Sequence, residues 1–336
     1  MVAAGTSEPV PVVVVGCGHL GSIHARVLSE LSRARLVGVI DTDPKKASAV
    51  AARHGVETFA SVDDLPECVR AAVVAVPTDR HHAVGRELLS RGVHCLIEKP
   101  IATTLDEADA LIALALEVGV TLMVGHSERF NPVIRALDAF GVQPRFIDCQ
   151  RVSPFSFRST DIGVVLDMMI HDIDLILHLV GSPLQAVHAV GVPVIDGEHE
   201  DLANARLVFE NGAVANATAS RMALKVERKI RLFAPELYAS LDLQNKTGRI
   251  IRPGPALSGG MDDLKETLAQ GVANPLELMM KGIVTMTELE GDDRQPLEVE
   301  DDAFLNAVAA GSPPPVTGAQ GRDALEAAQR IVHALS

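Results

Sequence analysis

The sequence predicts an α/β protein in two parts, a doubly wound parallel sheet followed by an α/β domain with a mostly antiparallel sheet. Two observations predict it. Up to about residue 125, short Val-rich runs alternate with helix-like stretches, the signature of βαβ units. Beyond about residue 145 the runs alternate polar and apolar residues instead, and Asn211-Gly212 joins two of them as a hairpin turn.

Taken in order, residues 12–15 are a continuous Val run, as expected for a strand buried on both faces. Residues 36–40, 72–76, 93–97 and 121–124 repeat that character, with helical stretches such as 20–31 and 105–118 between them. In the second part, 202–209 and 213–220 are strands. Ala213, Ala215, Ala217 and Ala219 share one face of the latter, a row small enough for close packing, and Val214, Asn216, Thr218 and Ser220 share the other. Further strand-like runs lie at 229–233 and 239–243, and 253–263 is a Gly/Pro-rich loop. The closing segment 322–335 is an amphipathic helix with Ala324, Leu325, Ala328, Ile331, Val332 and Leu335 on one stripe.

Composition narrows the function. The 336 residues are 47% hydrophobic but only 3% aromatic, with no Trp, so the core is built from Val, Leu, Ala and Ile. No apolar run has membrane-spanning length, and residues 1–11 lack the order of a signal peptide. Cys17, Cys68, Cys95 and Cys149 are far apart and form no CxxC pair, which fits a reducing cytoplasm and points to no metal. A net charge of −14 argues against a nucleic-acid or anionic-membrane partner. An anionic substrate therefore needs a local basic site.

The chemistry starts at Gly16-Cys17-Gly18-His19-Leu20-Gly21, a GxGxxG placed directly after the first strand and opening a helix. The first Gly allows the tight turn, the second lets the backbone approach a pyrophosphate, and the third lets helix and strand pack closely. Asp41 closes the second strand, where a carboxylate accepts hydrogen bonds from the adenosine ribose and repels a 2′-phosphate, so the cofactor is NAD. Asp43 is the alternative ribose partner, but it reads as the helix cap before Pro44.

Two further features carry catalysis. Glu98-Lys99-Pro100 closes a strand, at the sheet end where ligands bind in such folds. Residues 164–180 form a largely apolar helix on which Asp167, His171, Asp174 and His178 recur at spacings of four, three and four, a narrow polar stripe of a kind that lines clefts. His171 has the ordinary pKa of a base near neutral pH, Asp167 one turn earlier orients it, and Lys99 hydrogen-bonds the reacting oxygen or passes the proton. Lys99 and His171 both stand as the formal base. His178 reads as structural.

These motifs together resemble the glucose–fructose oxidoreductase / inositol dehydrogenase (Gfo/Idh/MocA) family, over essentially the whole chain. Val76-Pro77-Thr78 with His81, and the segment 316–336, belong to the resemblance. It implies an NAD-binding Rossmann domain over 1–125 and a substrate-binding and oligomerisation domain with a large open sheet over 126–315. A C-terminal helix over 316–336 then returns to the first domain. It implies Lys99, Asp167 and His171 as the catalytic trio, with Met169 standing where the family motif has Gly and adding bulk beside the catalytic face. The implied cofactor set is Gly16, Gly18, His19, Leu20, Gly21, Asp41, Pro77, Thr78, His81, Glu98, Lys99 and Arg129. Lys99, Arg129, Asn131, Asp167 and His171 would meet the substrate. The runs 125–132 and 167–174 resemble the branch that oxidises the 3-hydroxyl of UDP-N-acetylglucosamine, whose product goes to an aminotransferase in lipid A biosynthesis. There Arg158, Arg221 or Lys225 would hold the diphosphate, or each is a solvated surface charge. A homo-oligomer, dimer or tetramer, is implied. The alternatives are an inositol or other free-sugar dehydrogenase, an NAD-retaining glycosidase or lyase, and a non-catalytic nucleotide-binding protein.

Overall fold

The computed structural model describes residues 8–155, 162–195, 197–257, 265 and 275–335. Two compact units emerge, one from the chain up to Phe130 with Arg294–Ala327, the other from Asn131–Asp293 with the residues from Ala328 onward.

In the first unit, β1 (Val10–Val15), β2 (Ala34–Ile40), β3 (Glu57–Phe59), β4 (Ala71–Val74), β5 (His94–Glu98) and β6 (Leu122–Gly125) form one sheet in the order β3-β2-β1-β4-β5-β6. All neighbouring strands are parallel. The strand order reverses between β1 and β4, and the region beyond their carboxyl ends is where open α/β sheets bind ligands. Both strands are apolar and buried, as the Val runs require. The crossovers are α1 (His19–Glu30), α2 (Pro44–His54), α3 (Thr78–Ser90) and α4 (Leu105–Val118). Local chemistry sets their ends. Asp43 caps α2 by accepting the Lys45 N–H at 2.9 Å, and Thr104 and Glu107 form a capping box on α4.

The second unit holds α5 (Pro132–Asp138), β7 (Phe146–Val152), a π-helical turn (Val165–Met169) running into α6 (Ile170–Val180), then β8 (Leu184–Val192), β9 (Leu202–Phe209), β10 (Val214–Ser220), β11 (Glu227–Ala234), β12 (Leu237–Asp242), β13 (Thr247–Pro253), α7 (Pro275–Met280) and β14 (Val284–Leu289). Its eight strands lie in the order β14-β13-β12-β11-β7-β10-β9-β8, and the β7–β10 pair alone is parallel. One face of this sheet is core. Ala215, Ala217 and Ala219 of β10 are fully buried beside Ala203, Ala205 and Leu207 of β9, and α6 packs against β7 and β10. The other face carries cross-strand polar pairs, Asn204–Thr218, Arg206–Asn216 and Asp148–Arg231.

The chain then completes the first unit with α8 (Pro296–Ala310), which packs on α1, and with the start of α9 (Gly318–Ala334). Val124 N–H donates to the Val316 carbonyl at 3.2 Å, and Arg322 reaches Asp109 on α4. On α9, Ala324, Leu325, Ala328 and Ile331 are buried as the stripe predicts. Val332, on the same stripe, is 40% exposed. The units change at Phe130/Asn131 and return at Arg294, whereas the family resemblance implies boundaries at 125/126 and 315/316. The reason for the early return is α8, which packs on α1 and so belongs with the first unit. Of the loop 253–263, residues 258–263 lie outside the described residues, as does Arg158.

Candidate active site

The three glycines after β1 serve three purposes. Gly16 sits at φ +99°, and a Cβ there would lie 2.4 Å from the Ala75 carbonyl oxygen. A Cβ on Gly21 would meet the Gly16 carbonyl, so its absence lets α1 start directly under the turn. Gly18 has ordinary dihedrals and nothing within 4 Å of a Cβ position. It opens α1 as an N-cap without a side-chain cap bond, followed by exposed His19 and Leu20. The first amides of a helix are left without intrahelical partners, and such a start next to open space suits an anion. Asp41 braces this turn: its carboxylate accepts the Cys17 N–H at 2.6 Å and the Asp43 N–H at 2.7 Å. Each oxygen keeps a second lone pair for a ribose hydroxyl.

Pro77 caps α3 after β4 and is exposed; Thr78 beside it is half-buried. His81 is buried, its Nδ1 2.8 Å from the Pro100 carbonyl and its Nε2 3.0 Å from that of Val76, so it ties the end of β4 to the segment after β5. Burial lowers its pKa, against the pull of those carbonyls. Lys99 and Pro100, joined by a cis peptide, are both half-buried. Arg129 lies in a 3₁₀ turn after β6 and is 8% exposed. The glycine turn, Asp41, Pro77, Thr78, Lys99 and Arg129 thus all follow the carboxyl ends of β1, β2, β4, β5 and β6.

Glu98 departs from its expected role toward a cofactor. It is 6% exposed, with Oε1 3.0 Å from His24 Nε2 and Oε2 accepting the N–H of Lys99 at 3.2 Å. His24, on the inner side of α1, is fully buried, and its Nδ1 lies 2.8 Å from Asp301 Oδ1 on α8. Burial opposes charge on this imidazole, but the Asp301 charge and hydrogen bond, reinforced by Glu98, hold its pKa well above the ordinary value. Burial likewise opposes charge on Glu98, yet His24 and then Lys99 hold it below the usual carboxylate range. Burial, with the like charge of Glu98, pushes Asp301 up. Ligand atoms of His24, Glu98 and Glu300 lie within 4.8 Å of one another, a spacing a cation uses, but the imidazolium already supplies positive charge there. Nothing local in the sequence marks this cluster. A His three residues past Gly21 in an apolar row reads as core, and its partner is 277 residues away.

In the second unit, the segment carrying Asp167 and His171 is held from below. The Val164 N–H donates to the Glu200 backbone carbonyl, and the Val165 N–H to the Glu200 carboxylate at 3.1 Å. A Cβ on Gly163 would sit 2.0 Å from that carboxylate and would push it aside. The four-residue polar stripe does not survive. The π turn changes the helical phase after Asp167. Asp167 and His171 are half-buried, Asp174 is buried, and His178 is exposed and paired with Asp138 at 3.5 Å. Asp172, between them, is buried in an ion pair with Arg151. Met169 is fully buried and so packs in the core instead of narrowing an open pocket.

Three residues read as substrate contacts are engaged elsewhere. Asn131 is 3% exposed, caps α5 through the Val133 N–H and donates to the Leu243 carbonyl at 3.0 Å. Arg221 is buried on Asp201 and the Ile162 carbonyl, so it braces the approach to the π turn instead of offering a diphosphate site. Lys225 is exposed and paired with Glu227.

Residues 10–126 match the model of an oxidoreductase family with an NAD-binding Rossmann fold, and residues 134–235 match the GFO/IDH/MocA C-terminal domain. The chain is 38% identical to the UDP-N-acetylglucosamine 3-dehydrogenase of Acidithiobacillus ferrooxidans over 319 residues, 95% of each protein. A solved structure of that enzyme superposes with a TM-score of 0.86 over 97% of both chains. An inositol 2-dehydrogenase of Rubrobacter xylanophilus is 33% identical over 56% of this chain and 57% of its own. The glycine turn, the uncapped helix start and the ribose-side carboxylate fit NAD on geometry alone. With both domain models matched in order along it, the chain belongs to the Gfo/Idh/MocA family of NAD-binding oxidoreductases.

Proposed function

We propose that this protein is a dehydrogenase that oxidises the 3-hydroxyl of UDP-N-acetylglucosamine to the 3-keto sugar with NAD. The observation that carries this reading is the 38% identity to an enzyme of that activity over 95% of both chains. NAD, when bound, supplies the hydride acceptor. The start of α1 at Gly18 would receive its pyrophosphate, Asp41 would accept from its adenosine ribose, and Pro77, Thr78 and Arg129 would line the rest of the cofactor site. Lys99 then donates a hydrogen bond to the hydroxyl oxygen under attack. The ionised Glu98 beside it favours the ammonium form, which makes it a donor and leaves His171 as the base. His171 takes the hydroxyl proton as the carbinol C–H leaves as hydride, and Asp167 orients the ring and stabilises the imidazolium.

The first unit serves the cofactor and the second the substrate. The exposed sheet face of the second, with Val190, Val192 and Phe233 each more than 40% exposed, supports self-association there as a dimer or tetramer. The four free cysteines support work in a reducing cytoplasm, with the keto product passing to an aminotransferase of lipid A biosynthesis. Among the described residues no helix is long and apolar enough to cross a membrane.

The test is NADH formation, followed by absorbance, over a panel of nucleotide sugars and inositols. UDP-N-acetylglucosamine should be turned over with NADH accumulating. Turnover of myo-inositol with the nucleotide sugar inert would overturn the substrate, and product without net NADH would place the protein among the NAD-retaining enzymes.

A further inference from the structure

We infer that His24, backed by Asp301, is a positioning residue for Lys99: its imidazolium holds the Glu98 carboxylate ionised and oriented, and Glu98 in turn fixes the peptide and the charge environment of the lysine that follows it. The inference rests on Lys99 acting at the substrate, as proposed above.

The geometry is a buried chain of contacts. Asp301 on α8 bonds His24 Nδ1, His24 Nε2 faces Glu98 Oε1, and Glu98 Oε2 accepts the Lys99 N–H. His24 and Asp301 are 0% exposed, so neither serves solvent or surface. Gly125 lies opposite Glu98 in the β5–β6 register, and a Cβ there would stand 3.2 Å from Glu98 Oε2 and from its Cα. The neighbouring strand therefore leaves room for the carboxylate to turn inward. The charged groups facing His24 are Glu98 from β5 and Glu300 and Asp301 from α8, while Glu98 also faces Lys99 and His81. Three carboxylates meet one imidazolium and one ammonium. A brace for α8 alone would be met by apolar packing at lower cost, since buried ion pairs add little net stability over well-packed apolar residues. The charge sits where it reaches the residue before Lys99.

Without the imidazolium, the buried Glu98 loses its main partner and its pKa climbs toward neutrality. Below that value it is protonated and no longer holds Lys99. The experiment is the pH profile of kcat for His24→Gln, with Lys99→Met and Asp301→Asn beside it, each checked for folding and NAD affinity. His24→Gln should lower kcat at pH 7 by about tenfold to a hundredfold, the scale of a misplaced catalytic group. The acid limb of its profile should move up by about one pH unit or more, with NAD affinity within about threefold of the parent. Asp301→Asn should move the limb the same way by less, and it supplies the readout if His24→Gln does not fold. Glu98→Gln combined with His24→Gln should be no worse than Glu98→Gln alone, since both act through one carboxylate. A folded His24→Gln or Asp301→Asn with the parent's pH limb would overturn the inference and leave His24 a structural brace. Full turnover by Lys99→Met would instead overturn the catalytic reading of Lys99 on which it rests.

Discussion

Of the glycines after β1, Gly18 is the one whose replacement separates folding from cofactor binding. Gly16 and Gly21 face protein backbone, so a side chain there strains the unit itself. Gly18 faces open space with ordinary dihedrals, so Gly18→Val should cost the cofactor-free protein only about 1 kcal/mol, the loss of a better N-cap, and lower its melting temperature by no more than about 4 °C. Its NAD dissociation constant, measured by calorimetry, should rise at least about tenfold, because the side chain occupies the space for the pyrophosphate. Equal affinity would place the phosphates elsewhere. Single residues were also where sequence reading was sharpest. Asp43 and Pro44 announce a helix start on chemistry within three residues, and the structure has Asp43 there as a cap. Less legible were the protein partners of Glu98, Asn131 and Arg221, because a polar side chain in a motif reads as a ligand contact while its buried partner lies far off in sequence; those partners are His24, Leu243 and Asp201.

At the scale of elements, the segment with Asp167 and His171 shows what periodicity misses. A run apolar almost all round predicts a helix, and α6 is one. The π turn at its start has no such signature, because it depends on how Val164 and Val165 are tethered to Glu200, thirty-five residues on. Turns of this kind recur at functional sites. Gly163→Ala tests the tether: its Cβ would displace the Glu200 carboxylate and free the Val165 N–H. The loss should be about 1–2 kcal/mol of stability, the scale of a lost cap, read as a drop in melting temperature. Turnover should fall with the KM for NAD unchanged. A normal kcat would mean that the π turn holds its shape without Glu200. The parallel sheet was far more legible, since Val runs between helix-like stretches leave few topologies open. The edge β3 has three residues and was below the reach of any pattern.

For the whole molecule, stability should depend on pH through two buried ion pairs of opposite sign. His24 has a raised pKa when folded, so its contribution is present in full below about pH 6.5 and is lost as the pH rises through the folded value. Asp201 is opposed by burial but held low by Arg221 and two backbone N–H groups. Its contribution is present above about pH 3.9 and is lost as the pH falls through its lower folded value. Melting temperature should therefore hold a plateau between these limits and fall on both sides. His24→Gln should lack the alkaline fall, and a variant that keeps it would assign that limb to another group.

The pairing of His24 with Asp301 also bears on how the protein is made. Residues of the first unit leave the ribosome in two instalments, with Asn131–Asp293 of the second unit between them. Until α8 arrives, His24 lacks its hydrogen-bond partner Asp301 and α1 lacks the helix that covers it. The nascent nucleotide-binding half thus stays part-finished until α8 is made, by which point most of the substrate half, Asn131–Asp293, has already been synthesised.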